Sequence, residues 1–153
     1  MEHIEIEKKF LVSSLPFALS SFESHVIEQA YLCTAPVVRI RRQDETYYLT
    51  YKGSGLMARE EYNLPLTEQA YSHLLKKADG TVIRKQRFLI PFSDSKLVVE
   101  LDVFEAPFAP LLLAEVEFPS IEEANAFRPP SWFGEEVTQD SRYHNSTMSR
   151  SNF

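Results

Sequence analysis

Five separate stretches of this chain alternate charged and apolar side chains with a period of two, and a chain built that way is committed to strands. Successive side chains of a strand point to opposite faces. Glu5, Glu7 and Lys9 therefore share one face while Ile4, Ile6, Lys8 and Phe10 share the other. The pattern returns at Arg39/Arg41 against Val38/Ile40, at Lys85/Arg87/Leu89 against Phe88/Ile90, at Glu100/Asp102 against Val99/Leu101/Val103, and at Glu115/Glu117 against Val116/Phe118. A half-buried strand ordinarily turns its charges to water, and alternation by itself leaves open whether these rows face outward around an apolar core or inward around a ligand. The kind of charge bears on the choice. Two rows are purely basic and two purely acidic, whereas solubilising surfaces intersperse the signs. Lysine and arginine suit phosphate oxygens, and carboxylates suit hard cations such as Mg²⁺ or Mn²⁺. Burying such charges costs several kcal/mol per ion unless partners are present, so an inward arrangement implies a wet interior with opposed walls.

β-branched and aromatic residues mark eight strands, at about 2–11, 26–33, 37–42, 45–52, 57–64, 82–90, 96–104 and 112–119. Turn residues separate them at Gln43-Asp44-Glu45, Gly53-Ser54-Gly55, Asp79-Gly80 and Ser93-Asp94-Ser95, which implies antiparallel hairpins. Helices are expected at about 67–78 behind Thr67, at about 121–127 behind Ser120, and more faintly near 14–22. Tyr71, Leu74, Leu75, Ala124 and Phe127 recur at helical spacing and suit the outer faces of strands. The expected fold is mainly β (α+β): a closed eight-stranded antiparallel barrel with peripheral helices, since eight strands close around a small ligand and leave no edge.

With 153 residues and neither repeats nor low-complexity runs, residues 1–153 read as a single domain. A net charge of −6 argues against nucleic acid and anionic lipid as partners, and no apolar run is long enough for a membrane helix. The acidic start Met1-Glu2-His3-Ile4-Glu5 and the single Cys33 point to a cytoplasmic, reducing setting. His3, His25, His73 and His144 lack zinc-ligand spacing, and neither a nucleophile arrangement nor a phosphate-binding Gly-rich loop is present. Apolar faces that two helices leave uncovered would suit a homodimer.

The Glu5-Ile6-Glu7-Lys8-Lys9 run has the form Glu-x-Glu-x-Lys on a first strand. It is followed in order by Gln29-Ala30-Tyr31-Leu32, Val38-Arg39-Ile40-Arg41, Leu49-Thr50-Tyr51-Lys52-Gly53, Arg59-Glu60-Glu61-Tyr62, Arg84-Lys85-Gln86-Arg87, Val99-Glu100-Leu101-Asp102-Val103-Phe104, Ala114-Glu115-Val116-Glu117-Phe118 and 137–145. This series resembles the small bacterial members of the CYTH superfamily, the triphosphate tunnel metalloenzymes, and the likeness runs nearly the whole length. The resemblance implies a tunnel that takes a triphosphate and one or two Mg²⁺ or Mn²⁺ ions. It assigns Lys9, Arg39, Arg41, Lys52, Lys85 and Arg87 to phosphate oxygens, with Arg59 and Arg142 as further contacts. Glu5, Glu7, Glu115 and Glu117 become the metal-binding carboxylates, with Glu61, Glu100, Asp102 and Asp140 as further ligands or water-orienting groups. Glu7, as water activator, and Lys85 are the catalytic candidates, and Tyr31 is a candidate gate. The implied activity is metal-dependent hydrolysis of inorganic tripolyphosphate. The competing readings are a class IV-type adenylyl cyclase, a thiamine or nucleoside triphosphatase, and a non-enzymatic polyphosphate-binding barrel. Two departures concern substrate choice and loop geometry: Asn63 stands where relatives often carry an acid, and Ala106 and Pro110 where many carry glycine.

Overall fold

In a computed structural model, which describes residues 3–150, the eight expected strands are present as β1 (Ile4–Leu11), β2 (Glu23–Thr34), β3 (Val37–Gln43), β4 (Thr46–Lys52), β5 (Ala58–Pro65), β6 (Asp79–Pro91), β7 (Val98–Phe104) and β8 (Leu112–Glu117). All neighbours pair antiparallel, in the closed order β1-β5-β4-β3-β2-β6-β7-β8. The first expected strand began at residue 2, which lies outside the described residues. β2 and β6 each start three residues earlier than their alternation suggested, because their ends extend a mutual ladder in which Glu23 pairs with Leu89 and Tyr31 with Asp79.

Closure decides the question that alternation left open: the apolar rows face outward and the charged rows inward. Phe10, Phe88, Ile90, Val99, Leu101 and Val116 are buried on the outside of the sheet in one cluster with Phe118, Phe133 and Ala124. Ala124 belongs to α2 (Ile121–Ala126), whose N-cap Ser120 accepts from the Glu123 amide. A second helix, α1 (Glu68–Leu75), is capped by Thr67 and buries Tyr71 against Ala30 and Ile40, with Leu74 and Leu75 beside it. Each large apolar side chain buried in this way contributes about 1.5–3 kcal/mol. The barrel thus packs its hydrophobic core outside its own wall, leaving the inside for charge. Both helices end earlier than expected, and instead of a helix over 14–22 there is a single 3₁₀ turn at Leu19–Ser21, with Leu15, Phe17, Leu19 and Phe22 packed on the outer cluster.

The last part of the chain supplies elements that periodicity missed, because they are single turns: a 3₁₀ turn at Ser141–Tyr143 and α3 (Asn145–Met148). Residues 134–138 run beside the end of β1, with Gly134 N donating to Leu11 O and Val137 N to Lys9 O. Farther on, Thr81 N donates to Ser149 O. Gly80 makes that approach possible: its φ is +71°, and a Cβ there would stand 2.3 Å from Ser149 O. Met148 and Val137 join Tyr31, Ile83, Phe104, Phe108 and Leu113 in an apolar cluster. This cluster stops one end of the barrel.

Candidate functional site

Above that apolar stop lies a polar chamber of about 510 Å³, counted out to its open mouth, lined among others by Glu5, Glu7, Lys9, Arg39, Arg41, Lys52, Arg59, Glu61, Lys85, Arg87, Glu100 and Glu115. Seven strands, all but β2, send charges into it because inward positions recur every second residue. In the barrel order β3 lies across from β8, so Arg39 and Arg41 face the Glu115 side. Toward the mouth the lining passes to Gln43, Tyr48, Asn63 and Glu117.

The acidic wall is already engaged with cations. Lys52 Nζ is 2.7 Å from Glu5 Oε1 and 3.5 Å from Glu61 Oε2, and Lys9 Nζ is 3.3 Å from Glu115 Oε2. Asp102 has no exposed surface; it accepts from Arg87 at 2.7 and 2.9 Å and from Lys85 at 2.7 Å. Arg87 also reaches Glu115 at 3.3 Å and Glu100 at 3.4 Å. Against the cost of burial, Lys9 and Arg87 hold the Glu115 carboxyl well below its usual range. Burial, with Glu115 and Glu5 close by, pushes Glu7 up to about 8. Burial and then Glu5, Glu100 and Glu61 push Glu117 up to about 7. These carboxyls are crowded more than the lysines can relieve.

Arg39 and Arg41 are the counterpart on the opposite side. Both are buried, and neither forms an ion pair with a carboxylate among the described residues. Arg39 Nη2 donates to Thr50 Oγ1 at 3.1 Å, while Arg41 donates to Gln29 Oε1 at 2.8 Å and Tyr48 Oη at 3.3 Å. Arg39 Nε is the one buried side-chain nitrogen or oxygen left without a partner among the described residues. Burial and the neighbouring Arg39 push the Arg41 guanidinium below its usual range. Two buried cations held only by neutral groups are unfavourable alone and become favourable beside an anion.

Residues 3–150 match the CYTH domain family. The chain belongs to that family. It is 40% identical over 152 residues to an inorganic triphosphatase of Nitrosomonas europaea, covering 96% of this chain and 97% of that protein. An inorganic triphosphatase of Acetivibrio thermocellus is 36% identical over 149 residues, 94% of this chain and 92% of its own length. The crystal structure of an inorganic triphosphatase superposes with a TM-score of 0.72 at 37% identity, covering 96% of this chain and 95% of that one.

In this CYTH protein the folding brings together most of the side chains singled out in the sequence. Glu5, Glu7, Lys9, Arg39, Arg41, Lys52, Arg59, Glu61, Lys85, Arg87, Glu100 and Glu115 line the chamber, and Glu117 stands at its mouth. Three placements differ from expectation. Asp140 and Arg142 are outside the chamber lining and pair with each other at 2.6 Å, the Arg142 side chain 76% exposed, at the 3₁₀ turn that Asp140 caps. Asp102 shares the inward face of β7 but does not line the chamber: it has no exposed surface and is paired with Lys85 and Arg87. Tyr31 reaches the chamber but is 3% exposed within the apolar stop, a floor position instead of a gate.

Two residues were missed. Gln29 and Asn145 are buried amides at the chamber floor, linked by a 2.8 Å hydrogen bond from Gln29 Nε2 to Asn145 Oδ1. Charge patterning has no means of finding neutral side chains; the available signals were Gln29 at an inward register position two residues before Tyr31, and the place of Gln29 and of residues 137–145 in the ordered series that resembles the CYTH superfamily. Asn63, the departure noted above, accepts from Thr50 Oγ1 at 2.6 Å near the mouth. Ala106 and Pro110 belong to the connection between β7 and β8, whose Phe108 is buried in the apolar stop. Among the described residues, no helix is long and apolar enough to cross a membrane.

Proposed function

We propose that this protein hydrolyses inorganic tripolyphosphate to pyrophosphate and phosphate with the help of a divalent cation, Mg²⁺ or Mn²⁺. The observation that carries this reading is the buried pair Arg39 and Arg41, which lacks carboxylate partners among the described residues and stands across a chamber from crowded carboxyls. A ligand that answers both walls is an anion with several oxygens accompanied by a hard cation. Membership in the CYTH family and the names of the relatives point the same way.

The donor set fits a divalent cation: it is all oxygen, and the proximity of Glu115 and Glu5 contributes to holding Glu7 up at about 8. Among the described residues no three acidic, histidine or cysteine side chains converge tightly enough to hold an ion, since Glu5 and Glu115 are drawn toward Lys52 and Lys9. Glu5, Glu7 and Glu115, with Glu117 at the mouth, are the residues to hold it, exchanging lysine contacts for metal. The ion supplies neutralisation of phosphate charge and a more acidic bound water.

The remaining work belongs to the chain. Arg39, Arg41, Lys85 and Arg87 take phosphate oxygens, Lys9, Lys52 and Arg59 being further donors, and the fixed cations stabilise charge that shifts to the leaving group. Water attacks the terminal phosphorus, the bridging P–O bond breaks, pyrophosphate departs, and Glu7 accepts the proton of the water. The exposed Cys33, without a disulfide partner, accords with a reducing cytoplasmic setting.

The test is phosphate release from tripolyphosphate, pyrophosphate, ATP and thiamine triphosphate with Mg²⁺, Mn²⁺ or EDTA, with cyclic AMP assayed on ATP. Metal-dependent release greatest on tripolyphosphate is the expected outcome. Cyclic AMP formation would replace hydrolysis with cyclisation, and tight anion binding without turnover would leave a binding protein.

A further inference from the structure

The Lys85 ammonium is held from two sides. It donates to Asp102 Oδ2 at 2.7 Å and to Asn145 Oδ1 at 2.9 Å, while the Phe104 ring of the apolar stop stands 5.4 Å away. An ammonium carries three N–H bonds, so two fixed acceptors set the direction of the third, and Lys85 lines the chamber.

The orientation of Asn145 is dictated by chemistry. Lysine has no acceptor, so the atom that meets Nζ must be the amide oxygen. That same oxygen accepts from Gln29 Nε2 at 2.8 Å, which turns Gln29 Oε1 toward Arg41 Nε, also at 2.8 Å. The result is a neutral bridge of two amides with a cation at each end, Lys85 from β6 and Arg41 from β3. Gln29 is fully buried and Asn145 is 8% exposed, so water does not readily replace either. Asn145 arrives on α3, which is tied down by the buried Met148 and by the Thr81 N–H donating to Ser149 O.

We propose that Asn145 is a positioning residue: through its side-chain oxygen the C-terminal turn fixes Lys85 directly and Arg41 through Gln29, aiming both cations at the phosphate chain. This rests on the triphosphate reading of the chamber. The C-terminal segment is then a component of the anion site and not merely a closure of the barrel. A neutral acceptor suits the task, because it orients two cations without cancelling the charge they offer to substrate.

The test compares Asn145→Leu, Asn145→Asp, Lys85→Met and the Lys85→Met/Asn145→Leu double variant. Each is measured by steady-state kinetics on tripolyphosphate, by calorimetric binding of sodium tripolyphosphate in EDTA, and by melting temperature. Asn145→Leu is expected to weaken metal-free anion affinity roughly tenfold and to lower kcat/KM by roughly tenfold to a hundredfold, as misplacement of a binding group does. In the Lys85→Met background it should have no more than about a threefold effect, because residues acting as one unit are not additive. Asn145→Asp keeps an oxygen acceptor in the same volume; it should retain kcat within about threefold while raising KM through its added negative charge, and it decides the matter if the leucine variant does not fold. Equal kcat losses in the leucine and aspartate variants, or full additivity with Lys85→Met, would overturn the role. The binding arm reads Asn145 even if the wild type proves inert on tripolyphosphate, so loss of the proposed activity and loss of this inference are separate results.

Discussion

Replacing Arg39 by methionine should stabilise the free protein while disabling it. The guanidinium is 6% exposed, donates one hydrogen bond to Thr50, and leaves Nε unpartnered. An unmet buried donor costs about 1–3 kcal/mol, and exchanging a buried ionic group for an apolar one of similar volume is neutral or stabilising by about 1–4 kcal/mol. Methionine fills much of the same space, and Thr50 keeps its bond to Asn63 at 2.6 Å, so nothing new is orphaned. Arg39 does help to stabilise the Glu5 carboxylate, after Lys52, which sets the expectation at the low end, about 1–2 kcal/mol. For a domain of this size that is roughly 2–8 °C in melting temperature. Binding moves the other way. Two charge-assisted hydrogen bonds to phosphate are worth about 3 kcal/mol or more, or roughly a hundredfold in anion affinity. The assay is a thermal melt in phosphate-free buffer with EDTA, repeated with tripolyphosphate, beside calorimetric titration of the anion. A variant that melts below the wild type without anion, or that binds tripolyphosphate with unchanged affinity, would refute the view that Arg39 is a strained cation kept for an anionic ligand.

Glu7→Gln should lower metal-dependent turnover by about 10²–10⁴-fold and flatten the alkaline side of the stability profile. Glu7 is raised from 4.5 to about 8 in the folded state, so the native protein binds the extra proton between those values and wild-type stability falls as pH rises through that window. Melting temperatures of both proteins without metal from pH 4 to 9 check this. His25 is raised by its hydrogen bond to Asp44 and, after the opposing effect of burial, by that to Glu23. Its contribution is therefore complete below an unfolded value of about 6.5 and disappears as pH rises through the higher folded value; Asp44→Asn should reduce that dependence in the same melts, leaving the part due to Glu23. Gly80→Ala should cost about 1–3 kcal/mol, because φ is +71° and the added carbon meets Ser149 O at 2.3 Å. If the C-terminal turn organises the chamber, the anion affinity of this variant falls too, measured by calorimetry.

The sequence by itself determined the strands, their turns and the rows of like charge, since period-two alternation and the choice between arginine and glutamate are local facts carried by each segment. Alternation alone could not say on which side of the wall the charges lie, although the segregated signs and two helices suited to the outer faces favoured an inward arrangement. Arg39 and Arg41 against Val38 and Ile40 read equally well with either face buried, and only closure of β1 against β8, with α1 and α2 laid on the outside, turns the charged rows inward. Pairing was likewise tertiary. That Asp102 is spent on Lys85 and Arg87 while Arg39 and Arg41 lack a carboxylate among the described residues depends on which strands neighbour one another across the barrel. Asp140 and Arg142 share the residue types of the site, but the turn that carries them pairs them with each other outside the chamber lining. Gln29 and Asn145 are 116 positions apart, and no local pattern links two neutral amides at that separation. Their meeting is a product of how the end of the chain closes the floor of the barrel.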